Sequence, residues 1–292
     1  MQLFTLKDIE ALSGVAGAAI NQWRKKFPQL FPISKNEKPE CFSREEVMRI
    51  LSFCLLQQCK DGKENFITMA PDQLLREVNC IDVSDTNHSI NILKVLLPVL
   101  QFNAIDVQNI LSEIAAKTSF ETSITKVVYP LLVRLKKLKA TGDSANPYAA
   151  FFQKLIEAKL MAVINLLPEP KFINKGVVIF SPLQNVPTVA YFFLHFLVRK
   201  AGFTVIDLGP NVSFKMLQPV RETKTIFYVL VYLPSPLYTL MPNDYFEMLV
   251  QLFPNKKIVA CGAGAALLQR NFLNVSVLKT DDEIYRFIEK MR

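Results

Sequence analysis

The sequence predicts a multidomain chain of α and α/β parts in three successive blocks, and three observations predict it. Residues 3–58 alternate short capped helices with extended pieces. Residues 70–168 repeat apolar positions at spacings of three and four. From residue 175 onward, continuous apolar runs alternate with helical stretches. The first pattern predicts a winged helix-turn-helix over 1–65. The second predicts a four-helix-bundle-like helical domain over 70–168, and the third a Rossmann-like, flavodoxin-type parallel sheet over 172–292.

In the first block, Thr5-Leu6-Lys7-Asp8 has the form of a capping box: the hydroxyl takes an orphan helix amide and the acid three places on returns the bond. Ile9 and Leu12 give that helix an apolar face, and Ser13-Gly14-Val15 ends it in a tight turn. A second helix runs from Ala18 to Phe27, with Ile20, Trp23 and Phe27 on one buried stripe. Trp23 is read as core. The stripe leaves Asn21, Gln22, Arg24 and Lys25 on the other side, with Lys26 at the helix end. Phe31 to Phe42 reads as two extended pieces around a polar tip carrying Lys35 and Lys38, the wing. Ser43 then caps a helix reaching about Cys59, and Lys60 to Asn65 reads as a linker.

The middle block is predicted as five helices: a short one opening at Pro71-Asp72, then Ser84 to Leu100, Ile105 to Lys117, Ser119 to about Gly142, and Asn146-Pro147 to before Pro168. In the third block, strands are predicted at 176–180, 203–208, 226–232, 257–262 and 275–278, with helices between and a closing helix from Asp281 to Met291. A parallel sheet of this kind takes ligands at the carboxyl ends of its strands. The candidate loops are therefore Ser181 to Thr188, Gly209 to Ser213, Pro234 to Tyr238 and Gly262 to Ala265.

Composition sets outer bounds. Half of the 292 residues are apolar, enough to bury several cores, and the net charge is +8. Residues 1–60 hold nine Lys and Arg against six Asp and Glu, so the basicity is spread along the chain. Five cysteines at 41, 54, 59, 80 and 261 have no CxxC spacing, which suits a reducing cytoplasm and argues against a zinc site or redox pair. No apolar signal region opens the chain, and the most apolar run, Val189 to Val198, is short and interrupted by His195, so no membrane span is expected. No nucleophile–base arrangement, paired strand-end carboxylates or P-loop is present, so no enzyme is expected.

The order of the three blocks resembles the MerR-type regulators that carry a cobalamin-binding sensor, including light-responsive repressors of carotenoid synthesis. Lys7-Asp8-Ile9, Glu10 to Val15, Trp23 and Arg24 to Phe27 look like that family's helix-turn-helix, and Phe42 to Val47 like the start of its post-wing helix. Tyr129-Pro130-Leu131-Leu132 looks like its bundle, and Asp207 to Val212 like the turn after its second sheet strand. The resemblance also shows where this chain departs. Lys139 stands where a Trp caps the upper face of cobalamin. Ala149 and Ala150, before Phe151, stand where a Glu-His pair is expected. Pro187, in the stretch Asn185 to Ala190, stands where the axial histidine belongs. Proline has no lone pair to offer cobalt.

The resemblance implies a regulator of transcription that binds double-stranded promoter DNA as a homo-oligomer through its helix-turn-helix head and carries a sensor, and the departures imply that the sensor's cobalamin ligands are lost. Asn21, Gln22, Arg24, Lys25, Lys26, Lys35 and Lys38 are the candidate DNA-binding residues, since their side chains suit base edges and phosphates. Asn185, Pro187, Thr188, Ser235, Gly262, Gly264, Lys139, Ala149 and Ala150 form a candidate ligand crevice. No cofactor or metal is expected. Three alternatives stay open: a sensor of a different small molecule, cobalamin held weakly in another geometry, and control by a protein antirepressor. His195 reads as a packed histidine with one hydrogen bond, and Gly262 and Gly264 as residues of a strand-to-helix turn.

Overall fold

The computed structural model describes residues 3–27, 41–59, 71–138, 146–184, 186, 188–237 and 241–291. The chain divides into two compact units, Met1–Leu155 and Ile156–Arg292.

In the first unit, β1 (Phe4–Thr5) leads into α1 (Leu6–Ser13), and the capping box forms as the sequence predicts. Asp8 N–H donates to Thr5 Oγ1 at 3.2 Å, and Thr5 N–H donates to Asp8 Oδ2 at 2.8 Å. Gly14 ends α1 at φ 73°, a conformation glycine adopts without strain, and returns its N–H to the Glu10 carbonyl. α2 (Gly17–Lys26) follows. A Cβ at Gly17 would meet Glu10 Oε1 at 2.6 Å, so this glycine lets α1 and α2 approach closely. β2 (Cys41–Phe42) pairs antiparallel with β1, Phe4 opposite Phe42. A second capping box opens α3 (Arg44–Cys59): Glu46 N–H donates to Ser43 Oγ, and Ser43 N–H to Glu46 Oε2 at 2.7 Å.

From Val47 to Leu56 every residue of α3 except the half-buried Arg49 is buried, so the helix is covered nearly all round. It is covered by α1, by α4 (Pro71–Asn79) and by α5 (His88–Leu100). The sequence predicts the α5 helix from Ser84. Instead Ser84 Oγ accepts the N–H groups of Thr86 and Asn87 in a turn, and the Asn87 side chain caps the helix. Every residue of α5 from Ile90 to Leu100 is buried, so it forms the unit's central rod. α6 (Ala104–Lys117) packs back along it. The stretch predicted as one helix from Ser119 is three pieces: α7 (Phe120–Thr122), a π-helical turn (Ser123–Val128) and α8 (Tyr129–Lys136). Pro130 has no N–H to give, and the turn before it widens so that Tyr129 N–H bonds Ile124 O. The predicted end of that helix, and Lys139, lie outside the described residues. α9 (Pro147–Leu166) closes the helical series.

The second unit is a five-stranded parallel sheet in the order β4-β3-β5-β6-β7, from β3 (Phe172–Phe180), β4 (Phe203–Gly209), β5 (Ile226–Tyr232), β6 (Lys257–Cys261) and β7 (Val275–Leu278). β3 begins four residues before its predicted start. Val178, Phe180, Val229, Val231, Ile258 and Ala260 share one face and bury it under α11 (Phe214–Arg221) and α12 (Pro242–Leu252). α10 (Thr188–Lys200) and α13 (Asp281–Met291) cover the opposite face: Tyr285 meets Phe193 edge-on, and Phe287 meets Tyr228. This doubly wound order is flavodoxin-type.

All five cysteines are free. Burial pushes the Cys54 and Cys261 thiols up to about 12, which leaves them as inert core groups. Among the described residues no helix is long and apolar enough to cross a membrane.

Candidate functional site

Two places carry the predicted functional residues. The first is α2. Ile20 and Phe27 are buried, and Trp23 packs edge-on against Phe53 of α3 at 5.1 Å, so the stripe is core as expected. That anchoring turns Asn21, Gln22, Lys25 and Lys26 outward, all four exposed. Arg24 is half-buried with its guanidinium 4.5 Å from the Phe42 ring centre, so it also ties α2 to the β1–β2 ribbon. Lys35 and Lys38 lie outside the described residues. Exposed amides beside two ammonium groups at a helix end can reach acceptors and anions on a partner surface.

The second place is the carboxyl edge of the sheet. Here the loops are stitched in two pairs. The loop after β3 is tied to the loop after β4: Ser181 N–H donates to Gly209 O, Val212 N–H to Ser181 O and Asn211 N–H to Leu183 O, each at 3.0 Å. The loop after β5 is tied to the turn after β6: Leu233 N–H donates to Cys261 O at 2.7 Å, and Gly264 N–H to Leu233 O at 2.8 Å. The strand order reverses between these two pairs, at β3 and β5. In open sheets of this kind that is where ligands bind.

Of the predicted crevice residues, Ser235, Gly262 and Gly264 come together here. A Cβ at Gly264 would lie 2.0 Å from Ser235 O, and one at Gly262 would lie 2.4 Å from Leu233 O. The glycines therefore serve loop-to-loop packing, and Gly264 is buried by it. Thr188 opens α10 and donates its hydroxyl to Glu157, a buried carboxylate of α9. Ala149 is buried and Ala150 exposed on α9, in the first unit. Asn185 and Pro187 lie outside the described residues.

The structure also holds a polar network that sequence reading misses. β4 bulges between Asp207 and Gly209: Ile179 pairs with Asp207 while Phe180 pairs with Gly209, and Gly209 has φ 73°. The Asp207 carboxylate is thereby presented to α10. Tyr191 donates its hydroxyl to Asp207 Oδ1, and His195 Nδ1 lies 3.0 Å from Asp207 Oδ2. Gly209 N–H points at both Asp207 Oδ1 (2.9 Å) and the Tyr191 hydroxyl (3.2 Å). Burial pushes the Asp207 carboxyl up, but the bonds from His195, Tyr191 and Gly209 outweigh it and hold it below the usual carboxylate range. Burial and the neighbouring carboxylate push Tyr191 upward, so its hydroxyl keeps its proton. A carboxylate inside an otherwise apolar strand, and Tyr191 and His195 one helical turn apart, are the signals in the sequence that point to this network.

No protein-family model matches the chain, and no curated protein sequence does. Among solved structures, the chain is similar to the monomethylamine corrinoid protein of Methanosarcina barkeri, with TM-score 0.54 and 13% identity over 70% of this chain and 100% of that one. That likeness shows the fold: helices followed by a Rossmann-like five-stranded parallel sheet. A chain of the methanol:cobalamin methyltransferase complex from the same organism (TM-score 0.34, 13% identity, 80% and 93% covered) and a cobalamin-binding protein from Desulfitobacterium hafniense (0.25, 12%, 67% and 87%) are more remote.

The residues of this chain do not fit a corrinoid whose cobalt is held by histidine. The sequence has two histidines. His88 opens α5 in the first unit, and His195 sits in mid-α10, engaged with Asp207. Among the described residues, the four carboxyl-edge loops carry no ionisable side chain.

Proposed function

We propose that this chain is a DNA-binding regulator of transcription, in which α1, α2 and the β1–β2 ribbon act as a MerR-type winged helix-turn-helix. A sensor-like module of corrinoid-protein fold follows, and it has lost the axial histidine. The observation that carries the reading is the outward row Asn21, Gln22, Lys25 and Lys26 on a helix whose other side is locked into the core through Ile20, Trp23 and Phe27. The turn at Gly14 and the ribbon beside α2 support it, since a recognition helix needs a rigid partner helix and a flanking wing.

In this reading α2 enters the major groove. Asn21 and Gln22 contact base edges, and Lys25 and Lys26 contact phosphates. Two copies of the chain bring two heads to two half-sites, and any condition that changes their association changes affinity through the effective concentration of the second head. The module at the carboxyl edge binds no histidine-ligated cobalamin, and the reading assigns no reaction to the chain.

The test is binding of the full chain to a library of duplexes. Selective enrichment of one sequence is expected, with affinity falling as salt rises because phosphate contacts release counterions. No enrichment, or affinity indifferent to salt, overturns the reading.

A further inference from the structure

In the first unit, α5 and α6 form a hairpin whose facing sides enclose a groove of about 430 Å³, within the range of small-ligand sites. Its apolar walls are Leu97 and Pro98 of α5, Ile110 of α6, Met48 of α3 and Val78 of α4. Towards one end lies Lys94, nine-tenths buried although cationic. Towards the other end are Gln101 and Asp106. From Lys94 to Gln101 is seven residues of helix, about 10 Å at the helical rise.

A buried ammonium is costly unless it is bonded on all sides. Lys94 gives one of its three protons to the Ile81 carbonyl. Two carboxylates, Glu113 and Asp82, act on it through their fields, but Glu113 is paired with Lys117 at 3.6 Å. Burial, helped by the Lys117 charge, pushes the Lys94 pKa down despite these two carboxylates and Cys59. An acceptor entering the groove therefore finds an ammonium with protons to give. The five apolar residues suit a hydrocarbon body, while Asn79 and Asn109 make the remaining lining polar. Asp106 and Glu113, both lining the groove, oppose negative charge on the occupant, so one carboxylate on Lys94 is the most it can carry.

We propose that this groove binds a monocarboxylate of about eight carbons, its carboxylate on Lys94 and its chain along Leu97, Pro98 and Ile110. The proposal is independent of the DNA-binding reading, because the titration uses free protein and no duplex.

The probe is octanoate, titrated calorimetrically into the full chain, with octan-1-ol and octylammonium as controls. Octanoate should bind, octan-1-ol at least tenfold more weakly, and octylammonium not at all. Ile110→Trp, which fills the groove at a half-exposed position and leaves Lys94 alone, should weaken octanoate at least tenfold. Asp106→Lys, at an exposed position, should tighten it about threefold. Absence of octanoate binding, equal binding of the alcohol, or an unchanged constant in Ile110→Trp overturns the proposal.

Discussion

The Arg134 guanidinium of α8 donates to the main-chain oxygen of Leu12 at 2.8 Å, and so closes the last turn of α1. Helix carbonyls at that position have no partner within the helix. The same guanidinium lies against Gly14, where a Cβ would sit 3.5 Å from it. Burial pushes the Arg134 pKa down, the mark of a charge drawn partly out of water to make this bond.

Arg134→Ala should therefore destabilise the first unit by about 1.5–3 kcal/mol, the range for a hydrogen bond to a charged group. The chain has one tryptophan, Trp23, packed on Phe53 within that unit. Urea unfolding followed by its fluorescence reads the loss directly. An unchanged midpoint would mean that the bond contributes nothing net.

Gly264→Ala should damage the second unit. Its Cβ would lie 2.0 Å from Ser235 O and 2.6 Å from Ser235 C, atoms of a loop held by backbone hydrogen bonds. Backbone cannot yield as a side-chain tip can, so a loss of about 3 kcal/mol is expected. Ala263→Ser, one residue away and exposed, should stay within about 0.5 kcal/mol of the parent chain. Circular dichroism during urea unfolding compares the two.

The contrast between these two sites shows what a sequence carries. Local features were readable. Thr5–Asp8 is a capping box because three-residue spacing suffices for it, Ile20, Trp23 and Phe27 form a stripe because helical period places them together, and the strands of the parallel sheet follow from their apolar runs. Partners distant in the chain were not readable. Nothing near Leu12 announces Arg134, 122 residues on. The apolar belt of α3 tells that it is covered but not that α1, α4 and α5 all cover it. At Asp207 the strand carboxylate and the one-turn spacing of Tyr191 and His195 mark the residues in the sequence, but that a β-bulge and the path of α10 bring them together is visible only in the fold. Gly262 and Gly264 were legible as turn glycines, while the backbone they accommodate was visible only in the fold.

Acid should weaken the second unit through Asp207. Its folded pKa lies below the unfolded value, so the folded state binds the proton less well than the unfolded chain. The stabilisation is then fully present above the ordinary carboxylate pKa, about 4, and is lost as pH falls through the lower folded value. Asp207→Asn should lower stability at pH 7 by about 1–2 kcal/mol, since it exchanges charged acceptors for a neutral amide facing Tyr191 and His195. It should also shrink the difference between urea midpoints measured at pH 7 and pH 3. An equal pH difference in both proteins would remove Asp207 from the account.

On α2, Lys25 and Trp23 should separate binding from folding. Lys25 is exposed and serves the proposed contact to phosphate. Lys25→Ala should leave the unfolding midpoint within about 0.5 kcal/mol, weaken all duplexes by a similar factor, and reduce the slope of log affinity against log salt by about one. Gln22→Ala, if its amide reads a base edge, should cost about 1–3 kcal/mol on the preferred sequence and much less on random duplex, so selectivity narrows while the salt slope stays. Trp23→Ala should do the reverse of both. It removes the ring packed on Phe53 at 5.1 Å and costs about 3 kcal/mol of stability or more, with loss of binding only where the unit itself is unfolded. Gel shifts at three salt concentrations beside urea melts of each variant resolve the three patterns. A Lys25→Ala protein with the parent salt slope would place the phosphate contacts elsewhere than on this helix.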